Sequence, residues 1–404
     1  MNHLNNIAYN QFPDFLQKKI ASFYVNRVGE EWNGKHVLRG LIPDKNALIL
    51  TSNDYLFLAN HDEVILAQVE ALRANISVPL MSATFLHGEN PQSVTEKRFA
   101  GFFDSEEAIL CQSGYAANLG LLQTLTESTE TPVYVDMMAH MSLWDGARLG
   151  NGHVIPFLHN SVEHLENKIR QFGPGILMLD AVYSTNGSIC PLVEMVNLAH
   201  AAGCIIIVDE SHSIGTHGPQ GKGLVCELGL TDKVMFRTAS LAKAFAGRAG
   251  LILCPRYFSD PFGVSSKPHI FSSALTLVDI AGLNMVLDLI SSAAVGDIRR
   301  TKLRWNSLLL KEQLLSLGFD VEESRSQIIA LKTNSEWETI KLRDAMESHG
   351  VFGSPFCRPA TARKRPLLRL SLHSELTMQD LDRIYIACKQ ISSSGILSKS
   401  RTIS

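Results

Sequence analysis

The chain lacks the features that mark secreted, membrane-bound or nucleic-acid-binding proteins. No apolar run among its 404 residues approaches the ~20 residues that a membrane helix needs. The N-terminus has no basic stretch followed by an apolar core, so we expect neither a secretory leader nor a membrane span. Thirty-seven basic and 40 acidic residues give a formal net charge of -3. This balance favours a small-molecule partner over nucleic acid or an anionic membrane surface.

The cysteines are few and scattered. There are seven, an odd number, and no two have the C-x-x-C spacing. This pattern argues against a disulfide framework and against a zinc knuckle. We therefore expect reduced, mostly buried thiols, no metal site and a cytoplasmic location.

Two nucleotide-binding motifs are also absent. The phosphate loop G-x-x-x-x-G-K-[ST] does not occur, because the nearest stretch, GPQGKG at 218–223, has the wrong glycine spacing and Gly223 in place of a hydroxyl residue. The dinucleotide fingerprint G-x-G-x-x-G is missing as well. A nucleotide-hydrolysing ATPase and a typical dinucleotide enzyme are therefore disfavoured.

Short apolar runs alternate with helical stretches from about residue 61 to 295. The runs are continuous in their apolar character, which is typical of strands covered by helices on both faces. The sequence therefore predicts an α/β fold with a mostly parallel sheet. The clearest runs lie at 133–136, 176–180, 205–210, 234–240 and 250–254.

Composition and pattern change along the chain and divide it into four parts. We predict an N-terminal segment, 1–60, with a helix over 13–28 and a short strand at 48–50. A large domain, 61–295, is followed by a smaller α+β domain, 296–392, and by a flexible tail, 393–404. The smaller domain is predicted to contain helices at 297–316 and 335–348, strands at 326–333 and 369–372, and a last helix that Thr377 and Asp380 start almost as a capping box.

Ionisable residues follow the apolar run in CIIIVDESHS, residues 204–213. Ligands of open parallel sheets gather where the strands end. Asp209 is the first polar residue after the run, so it needs a positive partner or good donors, and a protonated ring nitrogen of a cofactor would serve. A strand-end aspartate that caps the next loop is an equally good interpretation of this segment alone.

Lys243 lies among small and apolar residues in TASLAKAFAGRAG, residues 238–250. A desolvated lysine has a lowered pKa and acts as an amine nucleophile toward an aldehyde. A lysine at a helix edge that extends its amine into water is the simpler alternative. Pyridoxal phosphate (PLP) chemistry needs a lysine that forms a Schiff base and an acid for the pyridinium nitrogen, and Lys243 and Asp209 supply both.

Other residues suit such a site, although each has an ordinary structural explanation. Ser113, Gly114 and Tyr115 begin a predicted helix, where free amides attract phosphate, and Ser240 and Ser273 add hydroxyls. Ser-Gly before a helix is also an ordinary cap. Further candidates are His140 and His212, Ser184 at a neighbouring strand end, and Arg369, a carboxylate-binding cation or an interdomain ion-pair partner.

Several long motifs together resemble the α-oxoamine synthases. These are SNDYLFLA, SGYAAN, AHMSLWDGA, YSTNGSICPL, VDESHSIGTHGPQGKGL and LLRLSLHSELTMQDLDRI, in family order from about residue 12 to 390. The resemblance implies a PLP-dependent transferase of fold type I with a seven-stranded sheet. It also implies a homodimer with shared active sites.

The resemblance assigns roles residue by residue. Lys243 would form the Schiff base, Asp209 would pair with the pyridinium nitrogen and His140 would stack on the ring. His212 and Ser184 would hold the phenolic oxygen. The remaining cofactor contacts implied are Ser113, Gly114, Tyr115, Ser240 and, from a neighbouring subunit, Ser273. Asn53 and Arg369 would hold the carboxylate of the amino acid.

Departures from the general family pattern indicate a branch. Ser240 replaces a threonine three residues before the lysine, Arg248 interrupts a glycine pair, and VPLMSATFLHGEN at 78–90 replaces a glycine-rich segment. The stretches LMSATFLHG and GVFGSPFCRPAT are similar to the synthases of α-hydroxyketone quorum-sensing autoinducers. This similarity implies that an acyl-CoA of medium or long chain condenses with 2-aminobutyrate or S-adenosylmethionine. Three alternatives remain: another α-oxoamine synthase, of the aminooxononanoate synthase or glycine acetyltransferase type, an aminotransferase or lyase of the same fold, and a non-catalytic partner subunit.

Overall fold

A computed structural model describes residues 12–74, 80–126 and 130–396 and divides the chain into two compact units. The larger unit is Asn53–Trp305 together with His373–Glu375. The smaller unit contains the described residues up to Ser52, Asn306–Leu372 and the described residues from Leu376 onward. The predicted segment 1–60 is thus divided after Ser52, and its first part belongs with the smaller unit.

Short strands and helices make up both units. In the described residues the strands are β1 Leu48–Ile49, β2 Glu107–Cys111, β3 Pro132–Asp136, β4 His153–Phe157, β5 Ile176–Asp180, β6 Ile205–Asp209, β7 Phe236–Ser240, β8 Gly250–Cys254, β9 Ile328–Lys332, β10 Val351–Phe352, β11 Ser354–Phe356 and β12 Leu367–Ser371. The α-helices are α1 Asp14–Ser22, α2 Asp62–Arg73, α3 Pro91–Phe102, α4 Gly114–Thr126, α5 Met141–Leu149, α6 Val162–Phe172, α7 Leu192–Ala201, α8 Leu224–Glu227, α9 Ser259–Ser265, α10 Lys267–Ile270, α11 Leu277–Ser291, α12 Ile298–Ser316, α13 Glu336–Ser348 and α14 Met378–Ser393. Phe23–Glu31 and Ala293–Asp297 are π-helical, and Ala83–Phe85 and Pro219–Gly221 form 3₁₀ turns.

The larger unit is built on a seven-stranded sheet with the order β2-β8-β7-β6-β5-β3-β4. The pairs among β3, β4, β5, β6 and β7 are parallel, whereas β8 runs antiparallel to both of its neighbours. The predicted fold, a mostly parallel seven-stranded α/β sheet, is therefore confirmed.

Strand β6 explains why the apolar runs of the sequence are continuous. Successive side chains of a strand point to opposite faces. Ile206 and Val208 enter one core cluster, which also holds Val225, whereas Ile207 enters a second cluster with Ala117 of α4. Both faces of the sheet are thus buried.

The two edge strands of this sheet, β2 and β4, have a weaker sequence signal. In β4, His153 and Pro156 are exposed, and Pro156 has no N–H to offer a neighbouring strand, as is common at edges. These strands do not belong to the apolar runs that predict the sheet.

The smaller unit contains an antiparallel sheet with the order β11-β12-β9 and a parallel pair, β1 with β10. The N-terminal segment joins it through Trp32, which is buried and donates from Nε1 to Glu336 over 2.7 Å. The predicted N-terminal helix is α1 followed by π-helical turns. The last helix, α14, begins at a capping box of Thr377 and Asp380, as predicted.

Several further expectations bear on the described residues. All seven cysteines lie within them, are free thiols, and five are buried. Among these residues no single helix is long and apolar enough to cross a membrane, and only the bent pair Leu277–Ser291 with Ala293–Ser316 passes that test when combined. The predicted tail falls outside the described residues from 397 onward, and the segment 78–90 does so at 78 and 79.

Candidate active site

A cavity of about 180 Å³ lies where β5, β6 and β7 end at their carboxyl edge. The starts of α4 and α5 also border it, so it occupies the position where open α/β sheets bind ligands. Its lining comprises Ser113, Gly114, Tyr115, His140, Ser142, Asp180, Asp209, Ser211, His212, Ser240 and Lys243. Eight of these residues were predicted from the sequence.

Asp209 and Glu210 are consecutive residues at the end of β6, but their side chains lie on opposite faces of the sheet. Asp209 accepts hydrogen bonds from Asn118 Nδ2 at 2.7 Å and from the Ser211 N–H at 2.8 Å. Both donors are neutral. Because Asn118 belongs to α4, Asp209 continues the face of the sheet that Ile207 occupies.

Glu210 lies on the opposite face, in a buried group that we call the ion-pair cluster: Glu210, Arg237, Ser213 and Val225. Glu210 Oε2 accepts from Arg237 Nε at 2.6 Å. Glu210 Oε1 accepts from the Ser213 hydroxyl at 2.9 Å and from the Val225 N–H at 3.0 Å. The exposed fractions of Glu210 and Arg237 are 1% and 5%, so this charge is matched within the protein.

Asp180 is a second carboxylate at the rim of the cavity. It ends β5 and is the register partner of Asp209. Burial and then the negative charge of Asp209 raise the pKa of Asp180 well above its usual value, although the His140 N–H, which donates to Asp180 Oδ2 at 2.9 Å, opposes this. Two acidic side chains therefore share one edge of the site.

His140 caps the N-terminus of α5. Its Nδ1 lies 2.7 Å from Ser142 Oγ and accepts from the Ser142 N–H. Burial lowers the pKa of His140, and the charge of Asp209 only partly offsets this effect. The ring of Tyr115 meets the imidazole edge to face, with 6.4 Å between the centroids.

Lys243 lies half-buried in the loop between β7 and β8. The Leu241 N–H donates to the Ala249 carbonyl at 2.9 Å, and the Gly247 N–H donates to the Leu241 carbonyl at 3.0 Å. These bonds close the loop, so the lysine is presented to the cavity from a constrained turn.

The start of α4 approaches the end of β7 so closely that only glycine fits at position 114. A Cβ on Gly114 would lie 2.7 Å from the Cβ of Ser240, far inside van der Waals contact. Ser113 Oγ accepts from the Ala116 N–H at 3.1 Å, and the Ser240 N–H donates to Ser211 Oγ at 2.7 Å. Hydroxyls and a helix N-terminus are thus gathered on one side of the cavity, an arrangement suited to a phosphate.

His212 is buried and joined to Tyr55, whose hydroxyl lies 2.6 Å from His212 Nδ1. The same hydroxyl donates to Asn53 Oδ1 at 3.2 Å. The Tyr55 hydroxyl therefore links Asn53 and His212 by hydrogen bonds, although these two residues have different predicted roles. Tyr55 was not predicted to belong to the site.

Four predicted site residues do not line this cavity. Ser184 and Asn53 belong to the same unit but are not among the lining residues. Ser273 pairs with Ser82 in an isolated bridge and borders a different, much smaller cavity. Arg369 belongs to the smaller unit, where its guanidinium lies 4.6 Å from the centre of the Phe356 ring.

Three lining residues, Asp180, Ser142 and Ser211, were not predicted from the sequence. A signal existed for Asp180, because it ends the apolar run ILMLD just as Asp209 ends its own run. Ser142 and Ser211 are short hydroxyl residues two positions from a predicted site residue, a pattern too common to indicate a site.

The residues fit PLP. One cavity holds an amine, a buried carboxylate with neutral donors, an imidazole and a set of hydroxyls beside a helix N-terminus. These are the groups that a Schiff-base lysine, a partner for the pyridinium nitrogen, a ring-stacking residue and a phosphate cradle require.

Comparison with known proteins agrees with this chemistry. The profile of the Aminotransferase class I and II family matches residues 45–387. The CAI-1 autoinducer synthase of Vibrio campbellii is 39% identical over 94% of this chain and 95% of its own. The 8-amino-7-oxononanoate synthase of Coprothermobacter proteolyticus is 28% identical over 85% of this chain and 87% of its own. The solved structure of Sphingomonas wittichii serine palmitoyltransferase superposes with a TM-score of 0.84 at 23% identity, covering 97% of this chain and 100% of the other.

Fold, site and relatives therefore converge, and the chain belongs to the α-oxoamine synthases, PLP-dependent acyltransferases within the aminotransferase class I and II family.

Proposed function

We propose that this enzyme condenses a medium- or long-chain acyl-CoA with 2-aminobutyrate or S-adenosylmethionine and releases carbon dioxide. The product would be an α-aminoketone or α-hydroxyketone precursor of a quorum-sensing autoinducer. The observation that carries this proposal is the 39% identity to CAI-1 autoinducer synthase over 94% of the chain, with the PLP-fitting cavity within the matched region.

The proposal gives each site residue a task. Bound PLP supplies an electron sink for the α-carbon of the amino acid. Lys243 Nζ would hold the cofactor in the resting enzyme and would then take the α-proton, while the Asp209 carboxylate would keep the pyridine nitrogen protonated. His140 would stack on the ring. The remaining cofactor contacts would be Ser113, Gly114, Tyr115, Ser184, His212 and Ser240.

The substrate contacts and the assembly belong to the same proposal. Asn53 and Arg369 would hold the carboxylate of the amino acid. Ser273 would reach the cofactor phosphate of a neighbouring subunit, so the enzyme would act as a homodimer. The cytoplasmic location stays a prediction.

Product analysis tests the proposed function most directly. The purified enzyme, loaded with PLP, would be incubated with a panel of acyl-CoAs and amino donors, and the products identified by mass spectrometry. We expect ketones that carry the acyl chain and have lost the donor carboxyl group, with 2-aminobutyrate or S-adenosylmethionine preferred over glycine, alanine and serine. A preference for glycine, alanine or serine would contradict the proposal.

A second candidate is another α-oxoamine synthase activity. It rests on relatives such as the serine palmitoyltransferase of Caulobacter vibrioides, 28% identical over 85% of this chain. The same panel separates the two candidates. An aminotransferase would turn over without releasing CoA or carbon dioxide, and a non-catalytic subunit would show no PLP absorbance that borohydride bleaches.

A further inference from the structure

A chain of hydrogen bonds connects the carboxylate of Asp209 with the imidazole of His140. Asn118 Nδ2 donates to Asp209 Oδ2 at 2.7 Å and to Ser142 Oγ at 2.9 Å. Ser142 Oγ in turn lies 2.7 Å from His140 Nδ1. Asn118 and Ser142 are each 1% exposed, so the two hydrogen bonds of the Asn118 amide are shielded from water, whereas the bond to the exposed His140 ring is only partly buried. Neither residue was predicted from the sequence.

The carboxylate at one end fixes the orientation of the Asn118 amide. An ionised carboxylate only accepts hydrogen bonds, so the amide atom 2.7 Å from Asp209 Oδ2 must be the NH₂ group. A flipped amide would set two acceptor oxygens against each other. The second proton of the same NH₂ group then points to Ser142 Oγ.

The backbone at the other end fixes the proton on the imidazole. The Ser142 N–H is 3.3 Å from His140 Nδ1, and a backbone N–H only donates. His140 Nδ1 must therefore carry a lone pair. Because Ser142 Oγ already accepts from Asn118, its hydroxyl proton is available for the same Nδ1. A ring with a lone pair on Nδ1 is neutral and carries its proton on Nε2.

We propose that Asn118 and Ser142 are positioning residues that hold His140 as the neutral Nε2–H tautomer, anchored to the carboxylate of Asp209. The imidazole then presents a hydrogen-bond donor at Nε2 for an oxygen atom of a group bound in the cavity. It presents neither a base at Nε2 nor the positive charge of an imidazolium.

The charged groups around His140 have opposing effects on the pKa of its imidazole. Asp209 and Asp145 favour the protonated ring, whereas Lys243 disfavours it. Asp180 accepts from the backbone N–H of His140, and the edge of the Tyr115 ring meets the imidazole. The backbone N–H of Ser142 adds to the side that keeps the ring neutral, because a proton on Nδ1 would point at the hydrogen of that N–H, and the Ser142 hydroxyl would have to rotate from donor to acceptor.

The consequence for catalysis rests on the proposed function. In an acyl transfer, negative charge develops on oxygen atoms of the substrates, and a fixed neutral donor stabilises that charge without having to reorganise. A second tautomer would present a lone pair to the same oxygen and repel it. The two positioning residues would thus contribute to the rate without contacting either substrate.

Nitrogen-15 NMR of the cofactor-free protein, labelled at histidine, tests the proposal independently of turnover. The His140 resonances are those missing in the His140→Gln variant. We expect the Nε2–H tautomer at neutral pH. An Nδ1–H tautomer or an imidazolium at neutral pH would overturn the proposal, and this result does not depend on which substrates the enzyme accepts.

The Ser142→Ala variant tests whether the network sets the tautomer. The variant removes the hydroxyl 2.7 Å from His140 Nδ1 but keeps the backbone N–H at 3.3 Å, so we expect Nε2–H to remain the main tautomer while a fraction of Nδ1–H appears. His140 should protonate at a higher pH than in the wild type, and kcat should fall about tenfold, the effect of one lost hydrogen bond. The matched control is Thr124→Ala, which also removes a hydroxyl bond within the fold, from Thr124 Oγ1 to the Gly120 carbonyl at 2.8 Å, but outside the network.

An unchanged tautomer and an unchanged protonation midpoint in folded Ser142→Ala protein would overturn the role of Ser142. A loss of kcat of the same size in the control would mean that the effect is structural and would also overturn it. If Ser142→Ala does not fold, the NMR spectrum of the wild type still tests the proposed tautomer of His140.

Discussion

Asp209 in the cavity and Glu210 in the ion-pair cluster are adjacent carboxylates in opposite circumstances. Both are almost completely buried, at 3% and 1% exposure. Glu210 is neutralised by Arg237, whereas the donors of Asp209 are an amide and a backbone N–H. Burying a charge without a cation costs much more than burying an ion pair with good hydrogen bonds. The counter-charge of Glu210 is therefore fixed in direct contact with it, whereas Asp209 is held by neutral donors and borders the cavity that Lys243 also lines.

The comparison predicts that the two regions separate activity from stability. Changes in the cavity should reduce turnover and leave the free energy of unfolding nearly unchanged. Changes in the ion-pair cluster should do the opposite. Four substitutions, taken from the largest expected effect to the smallest, test this separation.

Lys243→Ala should give the largest effect. We expect turnover to fall by a factor on the order of 10⁴ or more, because the proposed function makes the amine both the attachment point and the base. The thermal unfolding midpoint of the cofactor-free protein should stay within a few degrees of the wild type. Lys233→Ala is the matched control, since Lys233 is an exposed lysine that donates to Asn197 at 2.6 Å, and it should be fully active. Full activity of the Lys243 variant would refute the assignment.

Asp209→Asn should lower kcat by roughly 10²- to 10³-fold, because a neutral amide does not stabilise a protonated ring nitrogen. The absorbance of the bound cofactor should change as well, and the urea unfolding midpoint should not fall. A near-normal rate would show that this carboxylate is structural, like Glu210, and would remove the contrast between the two regions.

Glu210→Gln should destabilise the protein by about 3–5 kcal/mol, because it leaves the Arg237 guanidinium buried without its counter-charge. Urea unfolding of the cofactor-free protein measures this loss. The matched control is Asp104→Asn, which breaks a surface ion pair with Lys222 and should cost about 1 kcal/mol or less. A Glu210 variant as stable as the control would contradict the proposed division of roles.

Glu96 is a half-buried carboxylate, and its substitution should have the smallest effect of the four. Burial raises its pKa to about 7, and hydrogen bonds from the Leu110 N–H and from Gln92 only partly oppose the shift. The folded protein therefore binds a proton more tightly than the unfolded chain. The resulting stabilisation is complete below the unfolded pKa of 4.5 and is lost as the pH rises through 7.

Glu96→Gln tests this expectation, because the amide oxygen still accepts from Leu110 but does not titrate. Between pH 5 and pH 7.5 the wild type should lose about 2 kcal/mol of stability that the variant does not lose. Urea unfolding at several pH values measures the difference. Parallel curves for the two proteins would show that Glu96 is ionised in the folded state at neutral pH.

The sequence predicts the large sheet and most of the cavity because both depend on local patterns. Asp209, Lys243 and His140 follow or precede recognisable strands and helices, and the strand-end rule brings them to one edge. The family resemblance supplied their roles. Continuous apolar runs indicated the buried strands, and β6 confirms the reason, since its alternate side chains enter separate cores.

What the sequence did not reveal depends on contacts between distant segments. Asn118 lies 24 positions before Ser142 and 91 before Asp209, and no local pattern shows that they meet. The membership of the N-terminal segment in the smaller unit likewise rests on a long-range contact, that of Trp32 with Glu336. Such contacts are specified by the folded topology rather than by spacing.

Because side chains alternate between the two faces along β6, the number of residues in this strand decides which face Asp209 and Glu210 occupy. If one residue were deleted between Ile205 and Val208, every side chain after the gap would switch faces. Asp209 would then point toward the Arg237 guanidinium and Glu210 toward the cavity. The Glu210 side chain is one methylene longer than the aspartate that it would replace there. A deletion that removes no functional side chain would thus abolish both the cavity carboxylate and the buried ion pair.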